Sequence, residues 1–222
     1  MADKRIHTLV SRYLLPELRQ LGMRKFRPGV WTREQGDTVW SVSYEGGWAV
    51  KPELDVVLCV GYRALARFYS QAPQEIMLGD RNWDAPVAII AHLLELEASG
   101  GGLPAGGRCL QFVLGPDTRL PEIGEDLVRR LATGGLAFFQ RFSSFDAMTP
   151  IVEAPAQTWP EFITMPLLVK LAAWEWLRGK PEATARRLED AAAVTGPIGK
   201  EEVVAFGEWL KTTPCGVPHT IH

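Results

Sequence analysis

Glu45, Lys51, Glu53 and Asp55 come nearest, by type and spacing, to a set of residues that could do chemistry. Carboxylates and a lysine on neighbouring extended segments could hold a divalent cation and orient a water, as a metal-dependent hydrolase or nuclease does. The local pattern argues the other way. Glu53 and Asp55 alternate with Leu54 and Val56, which puts the acids on the solvated face of a half-buried strand. Pro52 interrupts that strand just ahead of them. The acidic set is therefore the alternative reading, and no catalytic residue is assigned.

Other chemical signatures are weaker still. His92 falls on the polar side of a predicted helix beside Glu95, where a histidine is solvated. Cys215, His219 and His222 have suggestive spacing, but no further Cys or His pair is spaced to complete the four ligands of a zinc site, so neither metal nor cofactor is expected. The glycines between Gly100 and Gly107 are not followed by Lys-Ser/Thr and do not form G-x-G-x-x-G, so they cradle no phosphate. No G-x-S-x-G elbow occurs. Arg24, Lys25 and Arg27 cluster near Phe26 and Trp31, but three charges on a chain of net charge −2 make a poor case for nucleic acid.

Aromatic residues offer a different kind of site. The chain has eight tryptophans, many for 222 residues, so the core need not take them all. Trp174 and Trp176 diverge by about 200° on a helix and cannot face the same way. Trp48 stands beside a Gly-Gly turn and is hard to bury. Trp48, Trp176, Tyr44 and Trp31 are accordingly the candidate binding residues, since exposed aromatics anchor protein interfaces. The competing reading packs them between sheet and helices, or has them line a small-ligand pocket.

These residues need a scaffold, and the segment from Val30 to Tyr62 supplies it. Val30 to Arg33 is extended, Gly36-Asp37 turns the chain, and Thr38 to Tyr44 alternates with Trp40, Val42 and Tyr44 on one face. Gly46-Gly47 offers the next turn. Leu54, Val56, Leu58, Val60 and Tyr62 then share a face, completing an antiparallel meander. A helix precedes it, with Ile6, Leu9, Val10, Tyr13, Leu14, Leu18 and Leu21 at helical spacing and Pro16 as a kink. Residues 75–78 read as a short strand, 84–97 as a helix, 99–107 as a loop and 108–114 as a strand. Ile123, Leu127, Val128 and Leu131 form a helical stripe that Gly134-Gly135 should end, before a short aromatic helix from Leu136 to Phe142. Three helices close the chain: one with Leu167, Leu168, Leu171 and Trp174 inward, one lined by Ala185, Leu188, Ala191 and Ala192, and one carrying Val203, Phe206 and Leu210.

The first half is similar to a bacterial family known as domain of unknown function 4304. The resemblance rests on Leu18-Arg-Gln-Leu21-Gly22-Met23-Arg24-Lys25-Phe26, on Val30-Trp31-Thr32-Arg33-Glu34, on Thr38 to Ser43, and on Leu136 to Phe142. It covers about residues 9–142. Met23 stands where the family has an aromatic, and Tyr44-Glu45 replaces a polar amide. The resemblance transfers no catalytic residue. Through relatives associated with toxin–immunity systems it implies a protein-binding role.

An apolar fraction of 46%, a charged fraction of 23% and a pI near 6.1 are ordinary for a soluble protein and provide no global basic field. No segment reaches the roughly 18 uninterrupted apolar residues needed to span a bilayer, and the first residues lack the apolar core of a secretory signal. Three sparse cysteines suit a reduced, cytoplasmic setting. The expected fold is α+β: an antiparallel sheet covered by helices on one face, with a C-terminal all-helical segment. The expected organisation is an α+β domain at 1–142, a crossing segment at 143–160, a helical subdomain at 161–212 and a flexible tail at 213–222. The expected function is non-enzymatic protein binding, immunity-like as the family resemblance implies, with another protein as partner and neither nucleic acid nor membrane. A metal-dependent hydrolase and a ligand binder with a tryptophan-lined pocket are the alternatives.

Overall fold

The computed structural model of the protein describes residues 4–46, 53–72, 89–94, 96, 112–115, 119–148 and 165–216. They fall into two compact units: Met1–Gly61 with Val87–Pro150, and Tyr62–Pro86 with Ile151–His222. The class is α+β, with an antiparallel sheet and a set of C-terminal helices.

The first unit is built on the sheet. Its strands are β1 (Arg24–Arg27), β2 (Val30–Gln35), β3 (Thr38–Gly46), β4 (Glu53–Tyr62, whose last residue counts with the second unit), β5 (Ile89–His92) and β6 (Phe112–Val113). They run in the order β1-β2-β3-β4-β5, with β6 pairing the first residues of β4. Glycines make the tight turns. Pro28-Gly29 joins β1 to β2, with Arg27 opposite Val30 and Gly29 at φ +76°, the combination a type II turn requires. Gly36, at φ +60°, turns β2 into β3 with Gln35 opposite Thr38.

Register places Trp31 opposite Val42 and Arg33 opposite Trp40, so these four share one face of the sheet. The alternation read from the sequence holds in β4, where Leu54, Val56, Leu58, Val60 and Tyr62 are all buried. Helices cover the Trp40 face: α4 (Leu120–Arg130) continues through a wider π-turn at Leu131–Gly135 into α5 (Leu136–Arg141), and Trp40 stacks on Phe139 at 4.9 Å and 11°. The N-terminal helix runs as α1 (Lys4–Leu9), a π-turn at Val10–Leu14 and α2 (Leu15–Gln20). The widening falls just ahead of Pro16, whose ring and missing N–H disfavour regular helix in the preceding turn.

Two expectations fail in this unit. Residues 84–97 do not form one helix, because Ile89–His92 is β5, with Leu58 opposite Ala91 and Val60 opposite Ile89. A short apolar run reads either way by periodicity, and pairing with β4 decides it. Nor do Gly134 and Gly135 stop a helix. A Cβ on Gly135 would lie 2.9 Å from Leu131 Cδ1 and 3.4 Å from Leu58 Cδ2, so the glycine serves close approach of the helix to the sheet. The expected strand at 75–78, the loop at 99–107 and the first residues of the strand at 108–114 lie outside the described residues.

The second unit is helical: α3 (Arg63–Ser70), α6 (Met165–Leu177), α7 (Pro181–Ala193) and α8 (Pro197–Lys211). In α6, Leu168, Val169, Leu171, Ala172, Ala173, Trp174, Glu175 and Leu177 are all buried, so this is the central helix of its unit. Gly179, at φ +73°, and Pro181 make the reversal into α7. The face of α7 differs from the expected one. Ala185 is exposed, while Thr184 and Ala191 are buried, and Thr184 Oγ1 donates to the Ala172 carbonyl at 3.2 Å. The expected grouping kept residues 1–142 together, whereas α3 belongs with the C-terminal helices. Phe68 packs on Trp209 at 4.9 Å, and Tyr62 meets Trp174 edge-on at 5.2 Å. Burial of Tyr62, Phe68 and Trp174 supplies the reason.

Candidate functional site

The acidic candidates do not form a described cation site. Glu45 lies near the end of β3 and is exposed. Glu53 and Asp55 share the polar face of β4 and are half-buried. Lys51 lies outside the described residues, as do His219 and His222. Among the described residues no group of three His, Cys, Asp or Glu side chains converges in a way that could hold a metal ion.

The aromatic candidates are scattered. Trp31 is only 7% exposed, with the guanidinium carbon of Arg19 5.8 Å from its ring centroid. It is a packed residue and offers no open surface. Tyr44 is half-buried and its backbone N–H bonds to the Gly29 carbonyl at 3.1 Å. Trp176 is half-exposed and engaged within its own unit: its indole N–H donates to Pro214 O at 3.2 Å, while its carbonyl accepts from Gly216 N at 2.9 Å and Cys215 Sγ at 3.4 Å. These bonds hold Pro214–Gly216 on the end of α6, a stretch that the sequence reading placed in a flexible tail. Trp48 lies outside the described residues.

Two buried polar features belong to the framework. Burial pushes the Cys59 thiol up to about 11, and a hydrogen bond with Ser41 only partly offsets this. Glu175, with its side chain 4% exposed, has Lys180 Nζ at 3.8 Å from Oε2, and its backbone carbonyl accepts from Lys180 N at 2.9 Å. That pair ties the end of α6 to the following reversal.

What the structure does assemble is a basic edge. Among the described residues β1 is the terminal strand of the sheet, paired to β2 on one side, and all four of its residues are exposed. Arg24 lies opposite Thr32, Lys25 opposite Trp31 and Arg27 opposite Val30. Lys25 therefore projects on the Trp31 face, where Arg19 also sits, and Arg24 and Arg27 project on the other. The register slips between Lys25 and Arg27, leaving Phe26 at a β-bulge without a cross-strand partner and 48% exposed. Among the described residues none of Arg19, Arg24, Lys25 or Arg27 makes an ion pair.

This charge is part of a wider asymmetry. The first 33 residues hold eight Lys and Arg against two acids, Asp3 and Glu17, a balance of +6; with −2 for the whole chain, the remainder carries −8. The basic cluster is visible in the sequence, but the strand that carries it is not. The available signal was Pro28-Gly29, which suits a tight turn between two extended segments.

Compared with protein-family models, with curated proteins and with solved structures, the chain matches none. Among the described residues no helix is long and apolar enough to cross a membrane.

Proposed function

We propose that this chain is a non-enzymatic protein-binding module, immunity-like in the manner that the resemblance to the domain of unknown function 4304 family implies, working in the cytoplasm. The observation that carries the reading is β1, a terminal strand exposed at every position, with an aromatic ring and three cations on offer. Sheet edges of this kind are where partner proteins dock, and an exposed aromatic beside arginines has the composition of an interface hot spot. The unpaired thiols of Cys59 and Cys215 are in keeping with a reduced compartment.

Native mass spectrometry of the chain purified from its own host, before and after mild denaturation, tests this reading. A stoichiometric co-purifying protein is the expected result. Release of a metal ion or a small molecule instead, with no protein present, would overturn it and bring forward the hydrolase or the ligand binder.

A further inference from the structure

We propose that the outer edge of β1, which no described strand pairs, accepts an extended acidic segment of the partner protein as an additional strand, with an apolar side chain of that segment seated on Phe26. The inference rests on the protein-binding reading and names the chemistry of the partner.

Backbone geometry comes first. A terminal strand leaves one row of N–H and C=O groups facing outward, and these pair either with water or with another strand. Natural edges are usually protected by charge and by bulges, and β1 has both. Here the protection is of one sign, so it is selective. A second copy of β1 would set Arg and Lys against Arg and Lys and be rejected, and a neutral strand would gain only backbone bonds. An acidic strand gains those bonds and the charge pairs as well.

Placement of the cations supports a strand over a polyanion. Lys25 and Arg19 lie toward one face of the edge, Arg24 and Arg27 toward the other, so they flank an added strand on both sides. A nucleic-acid backbone is better served by a groove lined with cations. The bulge adds the specificity element: Phe26, freed from cross-strand packing, presents its ring between Lys25 and Arg27. The matching segment has acidic residues around one apolar residue.

The test uses the full chain and a fluorescent octapeptide of alternating Glu and Val, read by anisotropy and by amide hydrogen exchange. Expected are salt-sensitive binding, slowed exchange at Arg24–Arg27, and affinity reduced at least about tenfold in the Arg24→Glu/Lys25→Glu/Arg27→Glu variant. That variant should in turn bind the matching Lys-Val peptide. Should the triple variant not fold, Arg24→Glu alone is expected to show the same loss in smaller measure. Equal binding by a peptide of the same charge with prolines at two consecutive central positions would overturn strand addition, because in either register one of them faces β1 without an N–H. Oligothymidylate binding at Phe26, with the acidic peptide leaving the β1 amides unaffected, would overturn it in favour of nucleic acid. If the peptide fails at β1 while a host protein still co-purifies with the wild-type chain, this inference falls and the protein-binding reading stands.

Discussion

Arg33 and Trp40 are direct partners across β2 and β3, with the Arg33 guanidinium carbon 5.1 Å from the Trp40 ring centroid. The same guanidinium donates through Nη1 to the Leu21 carbonyl at 2.8 Å, at the end of α2, and Trp40 stacks on Phe139 of α5. Two side chains thus join the N-terminal helix, the sheet and the covering helix. Arg33→Ala should cost about 2 kcal/mol, combining a charge-assisted hydrogen bond with a cation–π contact. Trp40→Ala should cost about 3–5 kcal/mol. Trp40→Phe should cost less than about 1.5 kcal/mol, since it keeps the stack and removes an indole N–H that has no acceptor among the described residues. Urea unfolding measures all three, and an unchanged midpoint in Arg33→Ala would refute the joint.

Gly124 lies in α4, where a glycine ordinarily costs about 1 kcal/mol relative to alanine. A Cβ there would stand 2.5 Å from the Tyr13 ring. Gly124→Ala should therefore destabilise the protein by about 1–3 kcal/mol. In a Tyr13→Ala background the same change should become neutral or stabilising. A double-mutant cycle by thermal unfolding checks this, and simple additivity would contradict it.

The cysteines should differ in reactivity. Cys59 is buried with its thiol raised to about 11, while Cys215 is exposed. At about pH 8 iodoacetamide should modify Cys215 in the native protein and reach Cys59 only on unfolding. Peptide mapping by mass spectrometry distinguishes the two sites.

Asp126 makes stability depend on pH. Burial alone would raise its carboxyl, but hydrogen bonds from Arg130 at 2.6 Å and Arg129 at 2.5 Å outweigh that and hold it below the usual 3.8. Folding thus favours the ionised form. The contribution is complete above the unfolded carboxyl's range and is lost as pH falls through the lower folded value. Asp126→Asn should lower the urea midpoint at about pH 7, and the difference from wild type should shrink as pH falls through the lowered folded value. A mutant deficit that persists undiminished in acid would contradict this.

How much could be read in advance depended on whether the deciding forces were local. In β3 and β4 the alternation of Trp40, Val42, Leu54, Val56 and Leu58 was legible because one buried face imposes a period of two. The run Ile89-Ile90-Ala91-His92 was not, because its pairing partner is some thirty residues away in β4. Gly135 misled because a glycine kept for close packing and a glycine ending a helix look alike in sequence. The candidate site divided similarly. The cluster of Arg24, Lys25 and Arg27 was visible as charge, but its position at the end of the sheet follows from topology. Trp31 was a plausible surface aromatic by its type, but packing under the sheet's covering elements and the Arg19 guanidinium buries it, which no local pattern reveals.

The most direct measurement places a photoreactive phenylalanine analogue at Phe26, or at Ile198 on the second unit, which is 77% exposed, and irradiates the full chain in its host. Docking at β1 requires one protein crosslinked from position 26, through an acidic extended stretch, and none from position 198. Crosslinking of a protein from position 198 with none from position 26 would contradict it.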